Sequence, residues 1–158
     1  MNWSFFNWPW PWTNWTMRTP SGIIFLFCTI SLLFLINYYK PDIIHDLEVT
    51  PYPFEKNSVD EILLSHVLEH IGQNPNVFNN IIKEFYRICK NKSIIHIIVP
   101  HPNHDDFVSD PTHVRPITVL GLQLYDKELN KKWEAMNAAN TPLALIHNVN
   151  FKILSADF

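Results

Sequence analysis

Glycine is nearly missing from this chain of 158 residues: Gly22, Gly72 and Gly121 stand where an average content near 7% gives roughly eleven. A P-loop and a G-x-G-x-x-G turn are thereby excluded, because both need clustered glycines to bring backbone N–H groups against phosphate. Cysteine is scarce too. Cys28 lies in an apolar run and Cys89 at the end of an expected helix, contexts too different for a disulfide framework, so a reducing, cytoplasmic setting is expected for the C-terminal part. Charge is almost absent from residues 1–39, where Arg18 stands alone, and the whole chain carries a formal net charge of -3. No basic nucleic-acid grip is evident in that balance, and the partner expected by default is a small molecule.

The aromatic residues are present in one place above all. The first fifteen residues, MNWSFFNWPWPWTNW, hold five of the six tryptophans, with Pro9 and Pro11 between them. Such alternation suits neither a long helix nor a central strand, so residues 1–21 are expected to form an irregular Trp/Pro-rich arm. Residues 22–39, GIIFLFCTISLLFLINYY, follow without a charge and approach the roughly 17–25 residues that cross a bilayer. They read as a transmembrane helix that anchors the chain, or alternatively as a buried strand pair or core helix. With one Arg before the run and one Lys after it, its orientation is not encoded.

From Lys40 to Phe158 the pattern is that of an alternating α/β domain. PDIIHDL is a short apolar run and VDEILLS, Val59–Ser65, reads as a strand. Asn74 is set to cap a helix with Pro75 in its first turn, and Val77, Phe78, Ile81, Ile82, Phe85, Ile88 and Cys89 follow helical spacing up to Lys90. SIIHIIV, Ser93–Val99, is a continuous apolar run as in a parallel strand covered on both faces, with His96 as a hydrogen-bonded core or edge histidine. Helical stretches are expected over 117–125 and 128–139, and a last strand over 146–154.

The order acid-Leu, Pro-Phe, Ser-x-Asp, His-x-Leu-Glu-His and Glu-x-x-Arg, in HDLEVTPYPFEKNSVDEILLSHVLEHI and EFYRICKNKSIIHIIVPHP, resembles the central and later part of class I S-adenosylmethionine-dependent methyltransferases. The resemblance spans roughly residues 41–158 and implies a partial Rossmann-like sheet with flanking helices, S-adenosylmethionine as cofactor, and methyl transfer to a small-molecule acceptor. It implies that Asp46, at the end of the family's third strand, accepts from the adenine amino group, with Leu47 beside it. Ser65 and His66, at the end of the fourth strand, would line the cofactor pocket, as expected where ligands gather at strand carboxyl ends. The family's first strand, glycine-rich turn and ribose-binding acid have no counterpart before Asp42. The domain therefore reads as truncated, with unpaired strand edges expected where the first strand would lie. The helix end KNKS replaces a Pro-Gly-Gly turn, and Asn91 is suited to the left-handed conformation needed there.

Two further clusters carry chemistry. The loop 101–113 gathers His101, His104, Asp105, Asp106, Asp110 and His113. As a substrate loop, its DPTHVRP segment offers Asp110 and His113 as proton acceptors and Arg115 for an anionic group. The same loop, or His66, Glu69 and His70 in HVLEH, has the donors of a divalent-ion site, although the apolar strand before HVLEH and the methyltransferase resemblance favour a pocket wall and helix start there over a metal. The alternatives are thus a membrane-anchored, non-catalytic methyltransferase remnant or interaction module, and a metal-binding hydrolase.

Overall fold

The computed structural model describes residues 1–5, 16–19, 22–24 and 43–157. Its centre is a strand–helix–strand unit that the sequence dictates closely. Strand β4, Val59–Ser65, buries Val59, Ile62 and Leu64, and helix α1, Pro75–Ile88, returns the chain to β5, Cys89–Ile98, which pairs parallel to β4. Asn74 caps α1 by accepting from the Asn76 N–H at 2.9 Å, and Pro75 opens the helix, where the N–H it lacks would have no partner. One apolar stripe of α1, Phe78, Ile81, Ile82, Phe85 and Ile88, packs against Ile62, Leu64, Ile95 and Ile97 from the sheet. Burying each such side chain contributes on the order of 1.5–3 kcal/mol, which makes this layer the main source of stability.

The strand order is β3-β2-β4-β5-β1-β6, where β1 is Asn2–Phe5, β2 Thr16–Thr19, β3 Gly22–Ile24 and β6 Lys152–Ser155. Three expectations are corrected here. The edge of β4 expected to be open is not unpaired: β2 lies antiparallel along it, with Met17 opposite Ile62. The ends of the N-terminal arm are strands rather than irregular chain, and β1 sits between β5 and β6, parallel to both. The segment 22–39 begins as strand β3, so a helix does not start at Gly22; residues 25–39 lie outside the described residues, as do Pro9 and Pro11. No helix among the described residues is long and apolar enough to cross a membrane.

After β5 come four short helices, α2 (Asp105–Val108), α3 (Val119–Gln123), α4 (Lys127–Ala135) and α5 (Leu143–His147). The strand expected over 146–154 is shorter, because α5 ends with Asn148 in the left-handed region at φ 53° and the chain turns before Lys152. The strand expected to begin at Ser93 begins instead directly after α1. The pairing jumps from Val59 opposite Cys89 to Glu61 opposite Ile94, so KNKS is accommodated as an irregularity, and Lys92, not Asn91, takes the left-handed conformation at φ 67°. His96 meets the expectation of a hydrogen-bonded position, its Nε2 lying 2.7 Å from Glu61 Oε1.

One turn fixes how these pieces meet. Gly72 has φ 66°, and a Cβ there would stand 2.7 Å from Phe78 Cβ and 2.8 Å from Phe78 Cα. A side chain is excluded both by conformation and by the close approach of α1. Gly72→Ala is expected to destabilise the chain by roughly 2–5 kcal/mol, the sum of left-handed strain and overpacking, measured as a lower urea midpoint at unchanged slope.

Candidate functional site

The carboxyl ends of β4 and β5 lie side by side, Ser65 opposite Ile98, and the His66 N–H donates to the Ile98 carbonyl at 2.8 Å. His66 is exposed and left-handed at φ 56°, a conformation uncommon outside glycine that turns the chain sharply off the strand. Val67 and Leu68 then enter the core and are fully buried. Asp46 lies not at the end of a regular strand but at a single bridge, exposed, in a tight turn. Its Oδ1 accepts from the Glu48 N–H at 2.9 Å and its carbonyl from the Val49 N–H at 3.1 Å. The Leu47 side chain is buried, and its carbonyl accepts from the Tyr52 hydroxyl at 2.8 Å. Burial pushes the Tyr52 phenol well above its ordinary pKa, so it remains a donor. Glu48 Oε1 accepts from the Gly72 N–H at 2.7 Å, which joins the Asp46 turn to the HVLEH turn.

The Glu-x-x-Arg pair has a role that the spacing alone did not reveal. Glu84 Oε2 accepts from the Tyr52 N–H at 2.8 Å, while Arg87 donates to the Phe54 carbonyl at 2.8 Å and the Tyr52 carbonyl at 3.1 Å. The two side chains also bond each other at 2.7 and 2.8 Å. They clamp the Pro-Phe loop onto α1 and so hold the Asp46 turn that precedes it. The available signal was the i, i+3 pairing of opposite charges on the polar side of a helix. Burial works to raise the Glu84 carboxyl, but Arg87, the Tyr52 N–H and Lys83 together bring it below its ordinary value. A carboxyl lowered by folding adds stability above its unfolded pKa and loses it as pH falls through the folded one. Stability of the native chain is therefore expected to fall below about pH 4.5, and Glu84→Gln to flatten that part of the profile. Arg87→Ala is expected to cost about 1–3 kcal/mol at neutral pH, read by denaturant unfolding.

Opposite the Asp46 turn, the DPTHVRP segment folds back onto the HVLEH turn. The Val114 N–H donates to the Glu69 carbonyl at 2.7 Å, with the Arg115 N–H at 3.4 Å from the same oxygen. The Glu69 side chain is fully buried, and neither carboxylate oxygen has a hydrogen-bond partner. Its nearest polar neighbour is His66, whose Nδ1 approaches Oε1 to 3.3 Å as an ion pair without hydrogen-bond alignment. This contact with Glu69, opposed by burial, raises the His66 imidazole above its ordinary pKa. His70 and His113 lie next to Glu69 with ring centroids 4.5 Å apart and planes tilted by 59°, and Phe107 stacks on His113 at 5.1 Å.

Asp110 accepts from the Thr112 hydroxyl at 2.6 Å and the Thr112 N–H at 2.8 Å, and these bonds hold its carboxyl below the ordinary range. Asp110 Oδ2 lies 3.8 Å from His113 Nε2, so the structure brings this expected pair together. Arg115 sits with its guanidinium 3.9 Å above the Phe78 ring and donates to the Gly72 carbonyl. Burial lowers its pKa and leaves Nε without a hydrogen-bond partner. The rest of the loop separates from this group. His104 caps α2, exposed, by accepting from the Asp106 N–H, and among the described residues the metal-compatible group is Glu69, His70 and His113, without His101, His104, Asp105 or Asp106.

Residues 36–97 match the family model described as a methyltransferase domain, and the match supports a class I S-adenosylmethionine-dependent methyltransferase-type domain in this stretch. No curated protein and no solved structure matches the chain. The parallel β4–α1–β5 unit fits a partial Rossmann-like methyltransferase fold.

Proposed function

We propose that this chain is a cytoplasmic S-adenosylmethionine-dependent methyltransferase that acts on a small-molecule acceptor at the carboxyl edge of β4 and β5. The observation that carries the reading is the convergence of three segments at that edge. The Asp46 turn is bonded to Gly72, and the DPTHVRP segment is bonded to Glu69. In open α/β sheets this is where ligands bind.

The cofactor, when bound, supplies an activated methyl group. The residues that would hold its adenosine half are the exposed Asp46 carboxylate as acceptor for the adenine amino group, the Leu47 backbone alongside, and Ser65 with His66 at the end of β4. On the acceptor side, Asp110, kept ionised by Thr112, and His113 form the proton-accepting pair, with Arg115 beside them as the contact for an anionic group. These groups orient the acceptor and take its proton, contributions typical of general-base catalysis.

A second reading, a non-catalytic methyltransferase remnant, is favoured by one feature. Between residues 43 and 157 the glycines are Gly72 and Gly121 alone, so no glycine-rich turn offers backbone donors to the cofactor. Calorimetric titration of the detergent-solubilised full chain with S-adenosylmethionine separates the two. Saturable binding weakened about tenfold or more by Asp46→Ala is the expected outcome, from loss of a charge-assisted hydrogen bond worth about 1.5–3 kcal/mol. Absence of binding by a cooperatively folded chain establishes the remnant.

A further inference from the structure

A carboxylate without hydrogen bonds in a fully buried position is costly, by several kcal/mol, unless a cation accompanies it. Glu69 is such a group: the exposed His66 approaches it from one side at 3.3 Å without a hydrogen bond, and two further imidazoles, His70 and His113, lie on hand to share an ion with it. One ligand atom from each of Glu69, His70 and His113 lies within 4.8 Å of the other two. The protonation of both rings is set by their outer partners. The Thr112 hydroxyl gives its single proton to Asp110 Oδ1 at 2.6 Å, so toward His70 Nδ1, 3.0 Å away, it accepts. The Phe107 carbonyl, 2.8 Å from His113 Nδ1, is also an acceptor only. Both neutral rings therefore carry hydrogen on Nδ1 and a lone pair on Nε2. This is the arrangement in which outer-sphere oxygens orient metal-ligating histidines.

From this geometry we propose that Glu69, His70 and His113 form a binding site for a divalent transition-metal ion of the zinc class. Two imidazole nitrogens and one carboxylate suit zinc, which takes such donors at about 2.0–2.2 Å in tetrahedral arrangement. That geometry sets donor spacings of roughly 3.4 Å, against the present spacing of within 4.8 Å. Asp110 stands beside the group, its Oδ2 3.8 Å from His113 Nε2. The ion supplies the buried carboxylate with a ligand bond where it has no hydrogen bond, and pins the DPTHVRP segment to the turn after β4. A bound ion takes the His113 lone pair and leaves proton acceptance at the acceptor side to Asp110. The site combines one residue pair from HVLEH with one histidine from the following loop, so neither sequence cluster contains it alone.

The test is titration of the chelator-treated, detergent-solubilised full chain with Co2+, whose visible absorption reports low-symmetry coordination, followed by displacement with Zn2+. One equivalent of saturable Co2+ binding is expected. His113→Ala and His70→Gln should abolish the absorption, whereas His104→Ala should leave it unchanged. Thr112→Val, which removes the acceptor that sets the His70 tautomer, should weaken binding about 10–100-fold, and Thr112→Ser should restore it. The Thr112 pair decides the matter if His113→Ala fails to melt cooperatively. No saturable uptake by a folded chain, uptake retained when His113 and His70 are replaced, or equal loss in His104→Ala overturns the site. Because the readout is metal uptake, it is independent of S-adenosylmethionine binding, and failure of either reading is seen separately.

Discussion

The backbone of Gly72 is the joint on which the edge of this domain depends. Its N–H is held by Glu48 and its carbonyl by Arg115, and its α-carbon lies against Phe78 of α1 with no room for a side chain. Through one residue, the Asp46 turn, the HVLEH turn, the DPTHVRP segment and the main helix take a common frame. Arg115 gains from the same frame: its guanidinium is stacked on Phe78 as well as bonded to Gly72, an economical way to hold a cation that burial otherwise disfavours.

Around that joint the polar groups fall into two kinds. Glu84 and Arg87 answer each other and the backbone of residues 52–54, so their charges are compensated in place and their work is structural. Glu69 is the opposite case, a buried carboxylate whose main-chain carbonyl is well bonded while its side chain is not. The contrast matters because both acids precede a basic or imidazole side chain in motif-like sequence, HVLEH and EFYR. Only the hydrogen-bond census separates the anchor from the group that has unspent bonding capacity.

The β4–α1–β5 unit was legible in the sequence because its signals agree: the Asn74–Pro75 start, a clean apolar stripe, and two continuous apolar runs. His96 was legible as a partnered histidine from its place in the apolar run, whereas the contact of Asp110 with His113 was seen only in the structure. The Glu69–His70–His113 group was not, because it is made by the Val114 to Glu69 hydrogen bond, a contact 45 residues apart that no local pattern encodes. The split of the 101–113 loop was equally hidden. His104 is taken up by capping α2, a use of side-chain acceptors that competes with ligation and that composition does not distinguish.

The N-terminal strands carry the least expected lesson. The parallel β4–β5 pair by itself leaves the side of β4 away from β5 open, with unpaired N–H and C=O groups whose burial or association must be managed. Here Thr16–Thr19 covers that side in the antiparallel sense, and Asn2–Phe5 covers the far side of β5 in the parallel sense. Hydrogen bonding is thus satisfied on both flanks. Satisfying a ladder asks only for extended backbone of any sequence, whereas approaching a cofactor asks for glycine at particular points. A substitute strand can therefore restore the sheet without restoring the turn that follows the family's first strand. The Asp46 turn, the turn after β4 and the DPTHVRP segment all meet at Gly72, so the integrity of that joint, and not only of the sheet, fixes the geometry of this edge.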